Sequence, residues 1–212
     1  MLVLTLHRFM ESIKENIVIV AHKLFNQVGI RNISVNDVCG ELRMSKKTFY
    51  QYFSSKEDLV DATIQYIQLQ HYDKFQKFVK DKNAIEVLLF TIREIRKSVE
   101  NDSYMFWHDL KKYYPALFKK YDKIKADEIE IGFEMNIRQG IKEGYYRDDL
   151  DVELLSFFHS VQMKNTFEIM MQHQKKFSVK RLTDFFIDVI IHQIANEKGM
   201  EFLKENFTEK NK

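Results

Sequence analysis

Residues 34–53 read SVNDVCGELRMSKKTFYQYF, and this stretch decides how the N-terminal part of the chain folds. Ser34 stands three residues before Asp37, a variant capping box in which a hydroxyl takes one of the unpaired N–H groups of a starting helix. That helix is expected over Val35–Leu42. Ser45 caps a second short helix, expected over Lys46–Tyr52. Between them, Leu42, Arg43 and Met44 leave room for one tight turn, the dimensions of a helix-turn-helix. Val35, Val38, Cys39, Leu42 and Phe49 would pack the two helices together.

The polar residues left outside point to a nucleic acid. Lys46, Lys47 and the following Lys56 supply charge that releases phosphate counterions. Gln51 and Thr48 can reach base edges, while the hydroxyls of Tyr50 and Tyr52 suit phosphate oxygens. Helix N-termini at Ser34 and Ser45 offer backbone N–H groups to phosphate. No acidic residue interrupts Met44 to Lys56. Residues 1–56 carry eight basic against four acidic side chains, net +4, and the remainder 25 against 27, net −2. A basic head on a near-neutral body fits DNA as partner.

Outward from this stretch the chain reads as helix throughout. Phe9, Ile13, Ile17, Val20, Leu24 and Val28 recur at three and four, and Gly29 is placed to end that helix in a left-handed conformation. Ser54 with Glu57 is expected to cap a long helix running to about Lys80. Asn83 pairs with Glu86 as the next cap, Pro115 marks another start, and a further helix ends near Gly140 and Gly144. Acidic residues Asp148, Asp149 and Asp151 open the one after. Gly is 6 and Pro is 1 in 212 residues, so few positions break a helix, and no segment alternates with period two. An all-α protein is expected, with a head over residues 1–56 and a helical body over 57–212.

The last two long helices are apolar too far round. From Asp151 to His173 the polar residues Glu153, Ser156, Ser160, Lys164, Glu168 and Gln172 form one narrow stripe, and from Val179 to Ile194 the stripe is Arg181, Asp184, Asp188 and His192. A surface helix needs an apolar stripe of about 100°. The excess implies a second buried side, either within a monomer or in a two-fold dimer. For the dimer, Leu155, Phe158, Leu182, Phe185, Phe186, Val189 and Ile190 are the candidate interface. Phe90, Trp107, Tyr113, Phe133, Phe157, Met163, Phe167 and Met170 supply aromatic and sulfur surface for an apolar cavity, in which Tyr or His groups would orient a small hydrophobic or aromatic ligand.

Motifs for chemistry are missing. There is no His-Glu-x-x-His pattern, P-loop or G-x-S-x-G, and His22, His108 and His159 are isolated. No catalytic residue, metal ligand or cofactor is expected. The single cysteine, Cys39, reads as a small buried hydrophobe and cannot form an internal disulfide. The longest uninterrupted apolar run, Ile17–Ala21, is short of a membrane span, and Met-Leu-Val-Leu-Thr-Leu lacks a basic leader, so a cytoplasmic location is expected.

Val35-x-x-Val38-Cys39 followed by Met44 to Leu59, MSKKTFYQYFSSKEDL, resembles the DNA-binding head of the TetR (tetracycline repressor) family. The resemblance covers about a quarter of the chain, and Tyr-x-Tyr-Phe-x-x-Lys-Glu-x-Leu is its specific part. Residues 140–151, GIKEGYYRDDLD, are similar to the segment before that family's dimerisation helices. The resemblance implies a homodimeric transcription regulator of about nine helices, usually a repressor, released from its operator by a small molecule. Two positions depart from the pattern. The family has glycine where Arg43 stands in the turn, and a left-handed Arg43 would cost ~1 kcal/mol. It also has glycine where Lys47 stands, at the closest backbone approach to DNA. Competing readings are a helical small-molecule carrier or enzyme with a vestigial head, and a purely structural dimer. Salt-sensitive, sequence-selective DNA binding separates the first from both.

Overall fold

The computed structural model describes the backbone of residues 2–100, 103–172 and 177–207, and their side chains except at 2–11, 95, 96, 98–100, 103, 104, 166–172, 179 and 207. Ten helices appear among these residues: α1 (Leu2–Val28), α2 (Val35–Glu41), α3 (Lys46–Phe49), α4 (Lys56–Val79), α5 (Ala84–Glu100), α6 (Ser103–Tyr113), α7 (Pro115–Glu143), α8 (Val152–Gln172), α9 (Val179–Ile194) and α10 (Glu197–Phe207). One isolated bridge, Tyr146 with Ala195, is the extent of extended pairing described. The all-α expectation holds. No described helix is long and apolar enough to cross a membrane.

Local chemistry sets most helix ends where the sequence puts them. Gly29, at φ +85°, donates its N–H to the Phe25 carbonyl at 2.9 Å and closes α1. Asn83 and Glu86 cap α5 reciprocally, side chain to backbone at 2.9 and 3.1 Å. Pro115 is the first residue of α7, where its missing N–H costs nothing. Gly144, at φ +74°, follows the end of that helix. Asp151 Oδ1 takes the Leu154 N–H at 3.1 Å, opening α8. One cap is displaced: the Ser55 hydroxyl accepts the Asp58 N–H at 3.0 Å, and Ser54 donates its N–H to the Asp58 carboxylate at 3.1 Å, so Asp58 takes the place foreseen for Glu57.

The described chain divides into two compact units, residues 1–75 with 102–120, and residues 76–101 with 121–212. In the first, α1 buries Ile17, Val18, Ala21 and Phe25. The expected line through Val20, Leu24 and Val28 is rotated outward; Val20 and Leu24 are half-buried and Val28 is exposed. The rotation follows from α6, whose Phe106 lies 6.3 Å from Phe25, ring centre to ring centre.

The second unit has its core at Ile85, Leu88, Ile92, Phe133, Ile137, Tyr146, Ile190, Ile191 and Ile194. Tyr146 packs its ring on Gly140 and donates its hydroxyl to Asn136 Oδ1 at 3.1 Å, while Asn136 Nδ2 donates to the Ala84 carbonyl at 2.8 Å. Any β-carbon at 140 would collide with that ring, so glycine is required by packing and not by a positive φ.

Helix α8 reverses the sequence expectation. Ser156, His159 and Ser160 are buried, whereas Leu154, Phe157, Phe158 and Val161 are all more than two-fifths exposed. The inward hydroxyls are satisfied close to home. Ser156 donates to the Val152 carbonyl at 2.7 Å and Ser160 to the Phe157 carbonyl at 2.9 Å. Back-bonded serines are small and carry no unmet polar group, so they pack inward at little cost.

Candidate nucleic-acid interface

Two short helices and the turn between them build the candidate site. The Ser34 hydroxyl accepts the Asp37 N–H at 3.3 Å, and the Asp37 carboxylate takes the Ser34 N–H at 2.7 Å and its hydroxyl at 2.7 Å. These hydrogen bonds from Ser34 hold the Asp37 carboxyl below its ordinary value. Ser45 takes the Thr48 N–H at 3.0 Å, and the two hydroxyls lie 2.9 Å apart. Both expected caps form.

The turn is a Schellman closure. Met44 donates its N–H to the Cys39 carbonyl at 2.9 Å, Arg43 donates to Gly40 at 3.1 Å, and Arg43 sits at φ 51°. That position is the one glycine ordinarily fills. Of the two possibilities for Arg43, a left-handed residue or a different turn, the first is the one present.

The packed side of the motif is Val38, Cys39, Phe49 and Phe53, with Val35 and Leu42 half-buried. Burial pushes the Cys39 thiol up, which keeps it protonated and inert. On the outer side, Ser34, Ser45, Lys46, Lys47, Tyr50 and Gln51 are exposed, and Thr48 and Tyr52 are half-buried. The α-helical part of α3 covers Lys46–Phe49, and a turn continues through Tyr50 to Tyr52, shorter than the helix expected. Tyr50 stands edge-on to Phe49 at 5.3 Å, which braces its ring while leaving the residue 52% exposed.

Lys56 is placed differently from the other basic residues. Its Nζ donates to the Ile30 carbonyl at 2.6 Å, and burial pushes its pKa down against the opposing pull of Asp109 and Asp37. It fastens the start of α4 to the α1–α2 loop. Asp109 of α6 holds the same loop: its Oδ2 accepts the Arg31 N–H at 2.9 Å, and a β-carbon at Gly29 would lie 2.6 Å from that oxygen. Sequence reading gave no sign of Asp109, because its partner is 78 positions away and no local pattern marks the pair.

The residues proposed for a ligand cavity fall into both units. Trp107 and Tyr113 belong to the first, and Phe90, Phe133, Phe157 and Met163 to the second; the side chains of Phe167 and Met170 lie outside the described residues. Phe90 stacks on Phe78 at 3.8 Å, and the Tyr113 hydroxyl accepts from Arg31 at 2.9 Å. Phe133 stacks at 3.7 Å on His159, which Phe186 flanks at 5.8 Å. Burial lowers His159 to about 4, so the imidazole is neutral at pH 7. Phe157 is a correction: it is 51% exposed beside Phe158 and lines no interior.

The proposed interface residues divide in a similar way. Phe158, Phe185 and Val189 are exposed as an interface requires. Ile190 is a correction, being 2% exposed within its own core, where Leu155 and Phe186 also pack, half-buried; Leu182 is half-buried as well. The outward apolar stripe is instead Leu154, Phe157, Phe158 and Val161 on α8 with Phe185 and Val189 on α9.

Residues 17–63 match the family model of bacterial regulatory proteins of the tetR family. This segment is what the chain shares with that family. An HTH-type transcriptional regulator of Staphylococcus aureus strain USA300 is 44% identical over 46 residues, 22% of this chain and 25% of that protein. The match thus spans about a quarter of the curated relatives' length. Among solved structures, a transcriptional regulator from Cytophaga hutchinsonii superposes with a TM-score of 0.71 at 19% identity, covering 86% of this chain and 98% of that one. A putative transcriptional regulator from Saccharomonospora viridis, solved in complex with choline, gives 0.64 at 19% identity over 88% and 100% of the two chains. At such identities the TetR-like fold is what these structures share with this chain.

Proposed function

We propose that the chain is a DNA-binding transcriptional regulator that acts as a homodimer and is released from its operator by a small molecule. The head match over residues 17–63, joined to an exposed Lys46, Lys47, Tyr50 and Gln51 on a capped α3, carries the DNA part of this reading. Lys46 and Lys47 provide sequence-independent affinity and Gln51 selects bases. Thr48 contributes to selection with its hydroxyl shared with Ser45, and Tyr52 and the N-termini at Ser34 and Ser45 position the phosphates. Lys56 supports the head from within, through Ile30, in addition to its charge.

The homodimer rests on the outward face of α8 and α9. Leu154 with Phe157 and Phe158, and both phenylalanines with Val161, stand three or four residues apart on one face, and Phe185 and Val189 stand four apart, all exposed. A two-fold copy would close these four helices into a bundle. The remainder of the chain beyond residue 56 serves regulation and dimerisation. Release requires a ligand that favours the weakly DNA-binding form by about 1–3 kcal/mol. The inward Phe133, His159 and Phe186 supply the aromatic surface and the polar group that suit a small hydrophobic or aromatic compound.

Changing Lys46 and Lys47 together to Ala flattens the slope of log affinity for duplex DNA against log salt by about one to two units. An unchanged slope in a folded variant refutes the interface. A compound panel that includes choline, read by thermal shift and then by DNA affinity, tests the release: hits that stabilise the protein and leave DNA affinity untouched refute the coupling.

A further inference from the structure

A cleft of about 340 Å³ opens inside the first unit, between the α1–α2 loop and α6. Arg31 and Lys112 converge there on one aromatic ring. The Arg31 guanidinium carbon lies 5.3 Å from the Tyr113 ring centre and Lys112 Nζ lies 5.4 Å from it, and Arg31 Nη1 donates to the Tyr113 hydroxyl at 2.9 Å. Among the described residues neither cation has a carboxylate partner. The one carboxylate in the wall, Asp109, is 8% exposed and already takes the Arg31 backbone N–H at 2.9 Å, with its other oxygen 3.6 Å from His108 Nδ1. Two cations therefore face the same small space, where the one carboxylate is turned to the Arg31 backbone N–H and His108, and Met105 adds an apolar wall.

We propose that this cleft binds an oxyanion, the carboxylate or phosphate group of a small molecule or a phosphate of the DNA backbone, between Arg31 and Lys112. The guanidinium matches the planar or tetrahedral oxygens by paired hydrogen bonds, the ammonium adds a point charge, and the Tyr113 hydroxyl completes the polar edge. Occupancy ties α6 to the loop that ends at Ser34, the cap of α2. The site is separate from the outer face of α3 and does not rest on the small-molecule release proposed above.

The test uses the full chain with two arms. In the first, without DNA, inorganic phosphate and benzoate are titrated at constant ionic strength against chloride, and binding is read from the fluorescence of the single tryptophan, Trp107 on α6, and from thermal unfolding. In the second, the salt slope of duplex DNA binding is measured. Both are repeated with Lys112→Gln, which removes an exposed amine, and with Arg31→Gln. Phosphate or benzoate binding that weakens at least fivefold in both variants identifies a free oxyanion. An unchanged first arm with a DNA salt slope lower by about one unit in each variant identifies a DNA phosphate. If both arms are the same in wild type and Lys112→Gln, the site is overturned. Loss of DNA binding by the wild type would count against the regulator reading, and the first arm alone would then decide this one.

Discussion

Replacing Arg43 by glycine stabilises the first unit. Arg43 is held at φ 51° by the Met44-to-Cys39 and Arg43-to-Gly40 hydrogen bonds, so the closure fixes its conformation whatever the side chain. An L-residue in that region pays about 1–2 kcal/mol. Glycine removes this strain and returns about 0.4–1 kcal/mol as extra entropy of the unfolded chain. The net gain is about 0.5–1 kcal/mol, which for a chain of this size raises Tm by about 1–4 °C. Arg43→Ala is the control: it removes the exposed side chain and keeps the strain, so it stays within about 0.5 kcal/mol of wild type. Trp107 is the natural reporter, since its ring stands edge-on to Phe106 at 5.4 Å and Phe106 packs on Phe25 of α1. Urea unfolding followed at that tryptophan reads the first unit directly. If Arg43→Gly is no more stable than Arg43→Ala, the strain is not there and the argument from φ fails.

Two further outcomes follow from the second unit. Phe158→Glu with Phe185→Glu weakens self-association by at least about thirtyfold, the scale of a hot-spot loss near 2 kcal/mol, with secondary structure unchanged; sedimentation that shows the same dimer in wild type and variant refutes the proposed face. His159 makes stability fall with acid. Its native pKa of about 4 lies below the ordinary 6.5, so between these values the unfolded chain holds a proton that the native ring does not. The contribution is complete above pH 6.5 and lost as pH falls toward 4, by about 3 kcal/mol. His159→Phe keeps the stack on Phe133 and removes this component, so the difference in urea midpoint between variant and wild type must change across pH 4.5–7; a constant difference refutes it.

What the sequence discloses here is what neighbours within one helical turn decide. Ser34, Ser45 and Asn83 each cap through a partner three residues on, and each formed as read. The Ser54–Glu57 box failed by one position, because adjacent serines and adjacent acids offer two registers of nearly equal local merit and Ser55 with Asp58 prevails. Lys56 and Asp109 escaped for a different reason. Both act on the α1–α2 loop from 26 and 78 residues away, and only the packing of α6 and α4 around that loop creates their partners.

Helix α8 shows where periodicity alone stops. A repeat at three and four reveals that a helix has two unlike faces, and the habit of putting the apolar one inward supplies the rest. That habit assumes that the inward face is the one with most to gain from burial. In α8 the serines meet their hydrogen-bonding needs through carbonyls three and four residues back, so water offers them little advantage over the interior. Their small size then allows close approach to α7, where Ser160 also lies 3.4 Å from Glu130 Oε2. Leu154, Phe157, Phe158 and Val161 are left outside, and a lone chain gains nothing by exposing them. A stable arrangement needs their burial elsewhere, and the adjoining Phe185 and Val189 on α9 extend the same surface. The inverted helix is therefore a reason to expect the second copy, stronger than the excess of apolar residues that first suggested it.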